Sequence, residues 1–312
     1  MIKNYITTFL RLLMRQKGYS AINVFGLGLG IAAVLLLTLY IVDELSYDRF
    51  HKDADRIYRI GWYTKFSGTE RLGCLIGPPT VIALRREVPQ VESVLRMATW
   101  NSWPVQFGNA YFTEKQILLA DSNFFDFFSF KLLSGNPKTV LSGPNKIVLT
   151  ESSAKKYFGY KGLGDASPLG KILLVGSDKT AMEVTGIAAD PPSNSHFHFE
   201  MIASLDSDEY LSQFENGWWG INVYSYIKTF RPEGVTAVEE HFPYYYKNYL
   251  EPQGRKFGFG DTWEEAKSHG NEVAYFTQLL TNIHLDSHLN YEFEPNGNRS
   301  YLYLLGCIAV FT

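Results

Sequence analysis

The feature that most constrains this chain is an uninterrupted apolar segment near its N-terminus. Residues 21–42 (AINVFGLGLGIAAVLLLTLYIV) contain no charged side chain. A helix of this length rises about 33 Å, which is enough to cross a bilayer's hydrocarbon core of about 30 Å. A cleaved signal peptide would have a shorter apolar core and a small-residue cleavage site, whereas here Val42 runs directly into Asp43 and Glu44. The sequence therefore predicts an uncleaved transmembrane helix over residues 20–42.

The charges on the two sides of this segment differ in sign. Residues 1–19 contain four basic side chains and no acidic one, whereas Asp43, Glu44 and Asp48 follow the apolar segment at once. Because Lys- and Arg-rich flanks stay on the cytoplasmic side of a membrane, we predict a cytoplasmic N-terminus and a large translocated domain. A basic N-terminal segment followed by an acidic remainder is not typical of a nucleic-acid-binding surface, so no nucleic-acid partner is expected.

Two patterns near the apolar segment predict further contacts with the membrane and its proteins. Apolar side chains recur at helical spacing over residues 2–13, which predicts an amphipathic helix on the cytoplasmic leaflet, with a bend at 18–20. The alternative is that residues 2–13 extend the membrane helix. Gly26 and Gly30 form a GxxxG pair, which allows a partner helix to pack closely. Membrane lipid and other helices are therefore expected neighbours.

Beyond the apolar segment, strand-like and helix-like segments alternate. Two groups have the order strand, helix, strand, because runs rich in aromatic and β-branched residues flank a segment with helical spacing. In chain order these segments are 56–65, 78–88 and 91–100, followed by 223–230, 235–249 and 273–280. The pattern predicts two β-α-β units that share one sheet.

Residues 101–205 have a different pattern, in which short apolar runs are broken by Gly, Pro and Asn, and this predicts a mostly β insertion. The strands expected there are 120–133, 146–150, 170–175 and 182–187, with one short helix at 152–158. The chain is therefore divided into an amphipathic helix (1–19), a transmembrane helix (20–42), and a translocated domain (43–297) with an α/β part at 43–100 and 206–297 and a β-rich insertion at 101–205.

The C-terminal residues 301–312 (YLYLLGCIAVFT) are apolar throughout. This run predicts the start of a second transmembrane helix, within 298–312 and cut short, and a buried terminal helix is the alternative. The predicted fold class is thus an α+β membrane protein, in which a transmembrane helix precedes an α/β domain with a β-rich insertion.

The string SHFHFE contains the strongest metal-ligand pattern in the chain. His196, His198 and Glu200 alternate there, so a strand would place all three on one face at a spacing compatible with a metal ion. The same alternation with Phe197 and Phe199 is typical of the solvated face of a half-buried strand. We favour the second interpretation and expect no metal.

No other motif points to catalysis or to a cofactor. His284 and His288 in HLDSH lack the Glu that follows the first His of the HExxH zinc motif. The segment 164–171 (GDASPLGK) has five residues between its glycines, where a phosphate-binding loop has four. Cys74 and Cys307 form neither a CxxC pair nor a disulfide framework. The sequence therefore predicts a non-catalytic protein without a cofactor.

Several strings carry a resemblance to a known family. They are NVFGLGLGIAAVLLLTLYIVDELSYDRFHKDADRIYRI at 23–60, SNFFDFFSFKLLSGNP at 122–137, IVLTESSAKKYFG at 147–159, VTGIAADPPSNSHFHFEMIAS at 184–204, and NIHLDSHL with EPNGNRSYLYLLG within 282–306. Together they cover most of the chain, which resembles the MacB/FtsX-type permeases of ABC transporters in the version common in Bacteroidetes-like bacteria.

This resemblance implies a permease of the bacterial inner membrane whose main domain is periplasmic. It implies an α/β porter-like part with a β-rich insertion, followed by three further helices. The partners it implies are a separate cytoplasmic ABC ATPase, a second permease copy or half, and a periplasmic adaptor or cargo. The family's ATPase-contacting helices and loop would lie beyond Thr312, so residues 1–312 are not expected to transport alone. The SHFHFE string then becomes a structural feature of the family.

The resemblance also implies that the first helix transmits ATP-driven motion to the periplasmic domain, for efflux or for mechanotransmission. The residues expected to serve this role are Gly26 and Gly30 for helix packing, and Asp43, Glu44, Asp48 and Phe50 at the junction with the domain. Two other classes stay open: a membrane-anchored periplasmic ligand sensor of a signalling protein, and an anchored periplasmic hydrolase.

Overall fold

The computed structural model describes Tyr5, Arg11 and residues 14–162, 166–220, 222–256 and 262–312, with the backbone alone at Trp263. The chain divides into two compact units. The small unit comprises Met1–Ser46 and Gly297–Thr312, and the large unit comprises Tyr47–Asn296. These bounds lie within a few residues of the predicted limits at 43 and 297, while the assignment of the parts to the two sides of a membrane stays a prediction.

The described elements follow the alternation seen in the sequence. The helices are α1 (Lys17–Leu45), α2 (Pro79–Glu87), α3 (Phe124–Phe127), α4 (Glu151–Phe158), α5 (Glu209–Ser212), α6 (Val235–Tyr245), α7 (Glu251–Lys256), α8 (Trp263–Ser268), α9 (Ile283–Asp286) and α10 (Arg299–Phe311). The strands are β1 (Ile57–Phe66), β2 (Thr69–Gly73), β3 (Leu75–Ile76), β4 (Val91–Phe107), β5 (Ala110–Ala120), β6 (Leu132–Ser134), β7 (Lys146–Thr150), β8 (Ile172–Val175), β9 (Thr180–Ala188), β10 (Met201–Ser204), β11 (Val223–Thr229) and β12 (Glu272–Leu279).

Helix α1 contains the predicted transmembrane segment and extends beyond it at both ends. Its 29 residues rise about 43 Å, and within the described residues it is the one helix long and apolar enough to cross a membrane. The predicted bend at 18–20 is wrong, because these residues continue the helix and the non-helical residue is Gln16. A single glycine costs a helix only about 1 kcal/mol, too little to end it here. The predicted amphipathic helix at 2–13 lies almost wholly outside the described residues.

Helix α10 packs beside α1 within the small unit. The Asn298 side chain begins α10 by accepting a hydrogen bond of 2.8 Å from the Ser300 N–H. A Cβ atom placed on Gly30 would lie 3.6 Å from the Thr312 carbonyl oxygen, whereas one on Gly26 would meet nothing within 4 Å among the described residues. Gly30 therefore approaches a second helix, and the role of the pair with Gly26 stays a prediction.

The two predicted β-α-β units interleave in one antiparallel sheet with the strand order β12-β1-β11-β4. Helix α2 lies between β1 and β4 in the chain, and α6 lies between β11 and β12. Neither unit pairs its own two strands, because β11 lies between β1 and β4 while β1 lies between β11 and β12. This is the β-α-β-β-α-β arrangement of ferredoxin-like folds.

The same sheet continues into the predicted insertion. Strands β4 and β5 form a long hairpin, and the order then runs β5-β10-β7-β9-β6, with β8 pairing β4 and β9. The predicted boundary after residue 100 falls inside β4, so the two parts share this strand. A strand was also expected over 120–133, but β5 ends at Ala120 and the run Phe124–Phe127 is helical. Successive phenylalanines bury together there on one turn, which a strand's alternation would prevent.

The sheet of the interleaved strands separates two apolar layers. On one face α2 and α6 pack through Tyr58, Ile60, Val81, Leu84 and Val238. The other face is covered by irregular segments and short turns that bring together the phenylalanine core, which we define as Phe124, Phe128, Phe130, Phe197 and Phe199. The candidate site lies along this second layer. A further cluster fills the β-rich part beneath α4.

Candidate functional site

The site is built around the incoming segment, defined as residues 47–52, with which the large unit begins. Helix α1 ends at Leu45, where Ser46 closes its last turn by donating its N–H to the Asp43 carbonyl oxygen at 2.9 Å. Of the predicted junction residues, Asp43 and Glu44 lie in that last turn, whereas Asp48 and Phe50 lie in the incoming segment. Only Ser46 separates the helix from this segment.

Asp48 is the most constrained residue of the incoming segment. It is fully buried and has a φ of 60°, a left-handed backbone that few residues other than glycine adopt. Its N–H donates to the Asn194 carbonyl oxygen at 2.8 Å, and its Oδ1 accepts the His196 N–H at 3.2 Å. Strained backbone of this kind persists only where its surroundings determine it, so the Asp48 main chain is held in one position.

A chain of buried polar side chains continues from Asp48 into the sheet. His196 Nδ1 lies 2.9 Å from Asp48 Oδ1, and His196 Nε2 lies 2.8 Å from the Tyr226 hydroxyl on β11. Burial raises the pKa of Tyr226 well above its usual value, so the hydroxyl stays protonated and shares a hydrogen bond with Nε2. His196 Nδ1 lies near the Asp48 carboxylate without hydrogen-bond geometry, and the carboxylate is bonded by the His196 N–H instead. This chain links the incoming segment to the middle of the sheet.

His51 joins the incoming segment to the phenylalanine core. Its Nδ1 accepts the Ser129 N–H at 3.0 Å, and the Lys52 N–H donates to Ser129 Oγ at 2.9 Å. Burial lowers the pKa of His51 to about 3, so the ring is neutral at physiological pH. Phe50 adds an edge-on contact to Phe130, with ring centroids 5.5 Å apart.

The incoming segment also contacts the region of α9. The Tyr47 ring stacks on His284, with centroids 3.4 Å apart and planes 5° from parallel. His284 is buried in this contact, whereas His288 of the same HLDSH string is exposed. The structure therefore places His284 in packing at the junction.

The outgoing segment, defined as residues 290–296, ends the large unit and is held by the same SHFHFE string. His198 Nδ1 lies 2.9 Å from Glu294 Oε1, which also accepts the His198 N–H at 2.9 Å. The hydrogen bond to Glu294 raises the pKa of His198 above its usual value. His196 and His198 are two positions apart in the chain. His196 therefore binds the incoming segment, and His198 binds the outgoing one.

A buried ion pair fixes the outgoing segment to the sheet. The Arg59 side chain on β1 is completely buried, and its Nη1 and Nη2 donate to the two Glu292 carboxylate oxygens at 2.6 and 2.8 Å. Nη2 also donates to Gln278 Oε1 at 2.7 Å and to Ser287 Oγ at 2.9 Å. Burial alone would raise the pKa of Glu292, but the guanidinium outweighs it, so this pKa is lowered and the carboxylate stays ionised.

The three weak metal-ligand candidates have separate partners. His196 faces Asp48 and Tyr226, and His198 faces Glu294. The Glu200 carboxyl lies beside Glu114, which together with burial raises the pKa of Glu200 to about 7. The strand begins only at Met201, so the SHFHFE string lies outside it. Within the described part of the chain, no group of three or more His, Cys, Asp or Glu side chains is placed to hold a metal ion.

Sequence reasoning missed several of the residues that form this junction, among them His51, Ser129 and Arg59. His51 and Ser129 lie within strings that carried the family resemblance, but their contact joins distant parts of the chain. Arg59 gave a clearer signal, since it lies on a predicted strand with Ile57 on its own face and Ile60 on the other, so neither face is polar there. A fully buried arginine almost always has a carboxylate partner.

Comparisons with known proteins agree with this architecture. The sequence profile of the MacB-like periplasmic core domain family matches residues 20–241, more than two thirds of the chain. The chain therefore belongs to this family and contains a MacB-like periplasmic domain of an ABC transporter permease, preceded by one apolar helix long enough to cross a membrane. The resemblance to MacB/FtsX-type permeases is confirmed. None of the curated proteins compared with this sequence matches it significantly.

Solved structures similar to this chain include three domains. The crystal structure of a domain assigned to a permease protein from Porphyromonas gingivalis aligns with a TM-score of 0.59 and 20% identity, covering 73% of this chain and 91% of that one. The periplasmic region of MacB from Actinobacillus actinomycetemcomitans aligns with a TM-score of 0.44 and 16% identity, covering 72% and 90%. The extracellular domain of the ABC-type transporter YknZ from Gram-positive bacteria aligns with a TM-score of 0.43 and 15% identity, covering 71% of this chain and 99% of that one.

Proposed function

We propose that this chain transmits ATP-driven motion from a separate cytoplasmic ATPase to a periplasmic domain, for efflux or for mechanotransmission. The permease lies in the bacterial inner membrane, with its N-terminus in the cytoplasm, and works with a second permease copy or half. The observation that carries the proposal is the junction, where the SHFHFE string holds both the incoming and the outgoing segment.

Transmission of a movement requires a connection that does not yield. Asp48, His196 and Tyr226 form a buried polar chain, and leaving a buried hydrogen-bonding group without its partner costs about 1–3 kcal/mol. Because only Ser46 lies between α1 and the incoming segment, a tilt or shift of α1 moves Tyr47 and Asp48 with it. The large unit then responds as a rigid body, and nucleotide binding by the partner supplies the free-energy difference between the two states.

The partner is tested by purifying the full-length, tagged protein from native membranes in mild detergent. Recovery of an ATPase with a phosphate-binding loop, whose activity falls when Gly26 and Gly30 are replaced with Leu, supports the proposal. An intact preparation that contains no ATPase contradicts it and favours a ligand sensor.

The junction is tested by measuring distances between spin labels in two permease copies reconstituted with the ATPase. A label at Tyr111→Cys, which is 62% exposed, reports on the large unit after Cys307→Ser removes the exposed thiol. We expect a nucleotide-dependent change of distance that is lost when three glycines are inserted between Ser46 and Tyr47, while ATP hydrolysis continues.

A matched insertion between Ser177 and Asp178, in the turn that joins β8 to β9, serves as the control and preserves the change of distance. A change of distance that survives the insertion before Tyr47 rules out transmission through the incoming segment.

A further inference from the structure

The large unit contains a cavity that is remote in the fold from the junction. It has a volume of about 840 Å³ and lies between the sheet surface of β1, β2 and β12 and a roof formed by Trp218–Gly220, the π-helical turn Tyr246–Leu250 and α7. This volume falls within the range of small-molecule sites, about 300–1,000 Å³. Such sites are mostly apolar, with a few polar groups that orient the ligand.

The walls of the cavity are flat aromatic surfaces. Trp62 and Tyr275 lie on the sheet side, and Trp219 and Tyr246 lie on the roof side. Each indole N–H is already bonded, from Trp62 to the Leu75 carbonyl oxygen at 2.8 Å and from Trp219 to the Leu250 carbonyl oxygen at 2.7 Å. These bonds fix the two rings, and the cavity meets their apolar parts. A flat apolar body suits this space.

The charges that line the cavity point to the sign of the ligand. Arg255 pairs with Glu251, and Glu272 lies opposite Lys65 in the sheet, on the other face from Thr64 and Arg71. Arg71 on β2 lines the cavity and is exposed, and the described residues contain no carboxylate that pairs with it. An unpaired guanidinium forms two parallel hydrogen bonds with a carboxylate, sulfonate or phosphate.

We propose that this cavity binds organic anions that have a flat apolar body. The body lies between the aromatic walls, and the anionic group binds Arg71 at the mouth. This site is separate from the junction and goes beyond the transmission of motion.

The test is calorimetric titration of the full chain in lipid nanodiscs, with empty nanodiscs as the blank. Naphthalene-2-sulfonate is the anionic probe, and 2-naphthylmethylammonium supplies a similar ring with the opposite charge. We expect saturable binding of the sulfonate at one site per chain and at least tenfold weaker binding of the ammonium probe. Absence of saturable sulfonate binding overturns the proposal.

Two variants and a control locate the site. Arg71→Gln is expected to raise the Kd of the sulfonate at least tenfold, while Arg85→Gln, an exposed change on α2 outside the cavity, leaves it unchanged. Thr64→Trp fills the cavity from β1 and is expected to abolish binding. Circular dichroism and gel filtration establish that each variant is folded. Sulfonate binding that survives both Arg71→Gln and Thr64→Trp places the probe elsewhere and overturns the proposal.

Discussion

Strand β1 passes through two regions of opposite character. Its first five residues, from Ile57, are buried on both faces of the sheet, whereas the residues from Trp62 onward are partly or fully exposed. At the buried end Arg59 is held by Glu292, and at the open end Trp62 and Thr64 line a cavity. One end of the strand is therefore fixed by paired polar groups, and the other leaves room for a ligand. Rigidity and adaptability are separated along a single strand.

The largest difference between the two regions is expected at their arginines. Arg59→Met leaves Glu292 buried without its partner and should lower the free energy of unfolding by about 3–5 kcal/mol. Arg71→Gln, at the exposed end, should change it by no more than about 0.5 kcal/mol. Urea unfolding followed by tryptophan fluorescence measures both, because all six tryptophans lie in the large unit. If both substitutions lower the free energy of unfolding equally, the two ends of β1 do not differ in the way described.

The next largest effect concerns the titration of His51 at the buried end. Its folded pKa of about 3 lies below the unfolded value, so its neutral form stabilises the fold above pH 6.5 and this contribution is lost as the pH falls. His51→Asn keeps an acceptor for the Ser129 N–H but does not titrate. The loss of unfolding free energy between pH 7 and pH 5 should shrink by about 2 kcal/mol in this variant. An unchanged pH dependence contradicts the burial of a neutral ring.

A smaller effect is expected where the buried chain meets the sheet. Tyr226→Phe removes the hydroxyl that bonds His196 Nε2 and should cost about 1–2 kcal/mol of unfolding free energy. Tyr111→Phe, an exposed change on β5, is the matched control and should cost nothing measurable. If the Tyr226→Phe variant is as stable as the wild type, this hydroxyl does not stabilise the junction.

The smallest effect is expected at the outgoing segment, where His198 is half-exposed. The pKa of His198 is raised by Glu294, so the pair stabilises the fold below the unfolded pKa and is lost as the pH rises through the folded one. Hydrogen exchange of residues 290–296 should therefore quicken above neutral pH relative to the intrinsic rate. His198→Gln should remove this step while leaving the exchange of β11 unchanged, and persistence of the step would assign it to another group.

The sequence was a good guide to local structure and a poor guide to partners. The length of the uncharged segment predicted α1, and the periodicity of apolar residues predicted the two β-α-β units, because both patterns are local. Asp48 and Phe50 were predicted at the junction, and their contacts with His196 and Phe130 follow from the fold. The partnership of Arg59 with Glu292 was not predicted, because these residues are separated by 233 positions and meet only once β12 has joined the sheet. The expected strand over 120–133 was wrong because Phe124–Phe127 pack into the phenylalanine core, which is formed by distant segments that the local pattern does not contain.

The interleaved strand order also governs when the protein can fold. β1 must pair with β11, and contacts such as that from Arg56 to Thr229 join residues 173 positions apart. Until the chain has been made as far as β11, one edge of β1 and one edge of β4 have no neighbour, and the other edge of β1 is completed only by β12. Sheets dominated by such distant contacts fold slowly and are prone to aggregate meanwhile. A chain of this topology, anchored at its N-terminus during export, should depend on chaperones that shield unpaired strands until synthesis has passed residue 279.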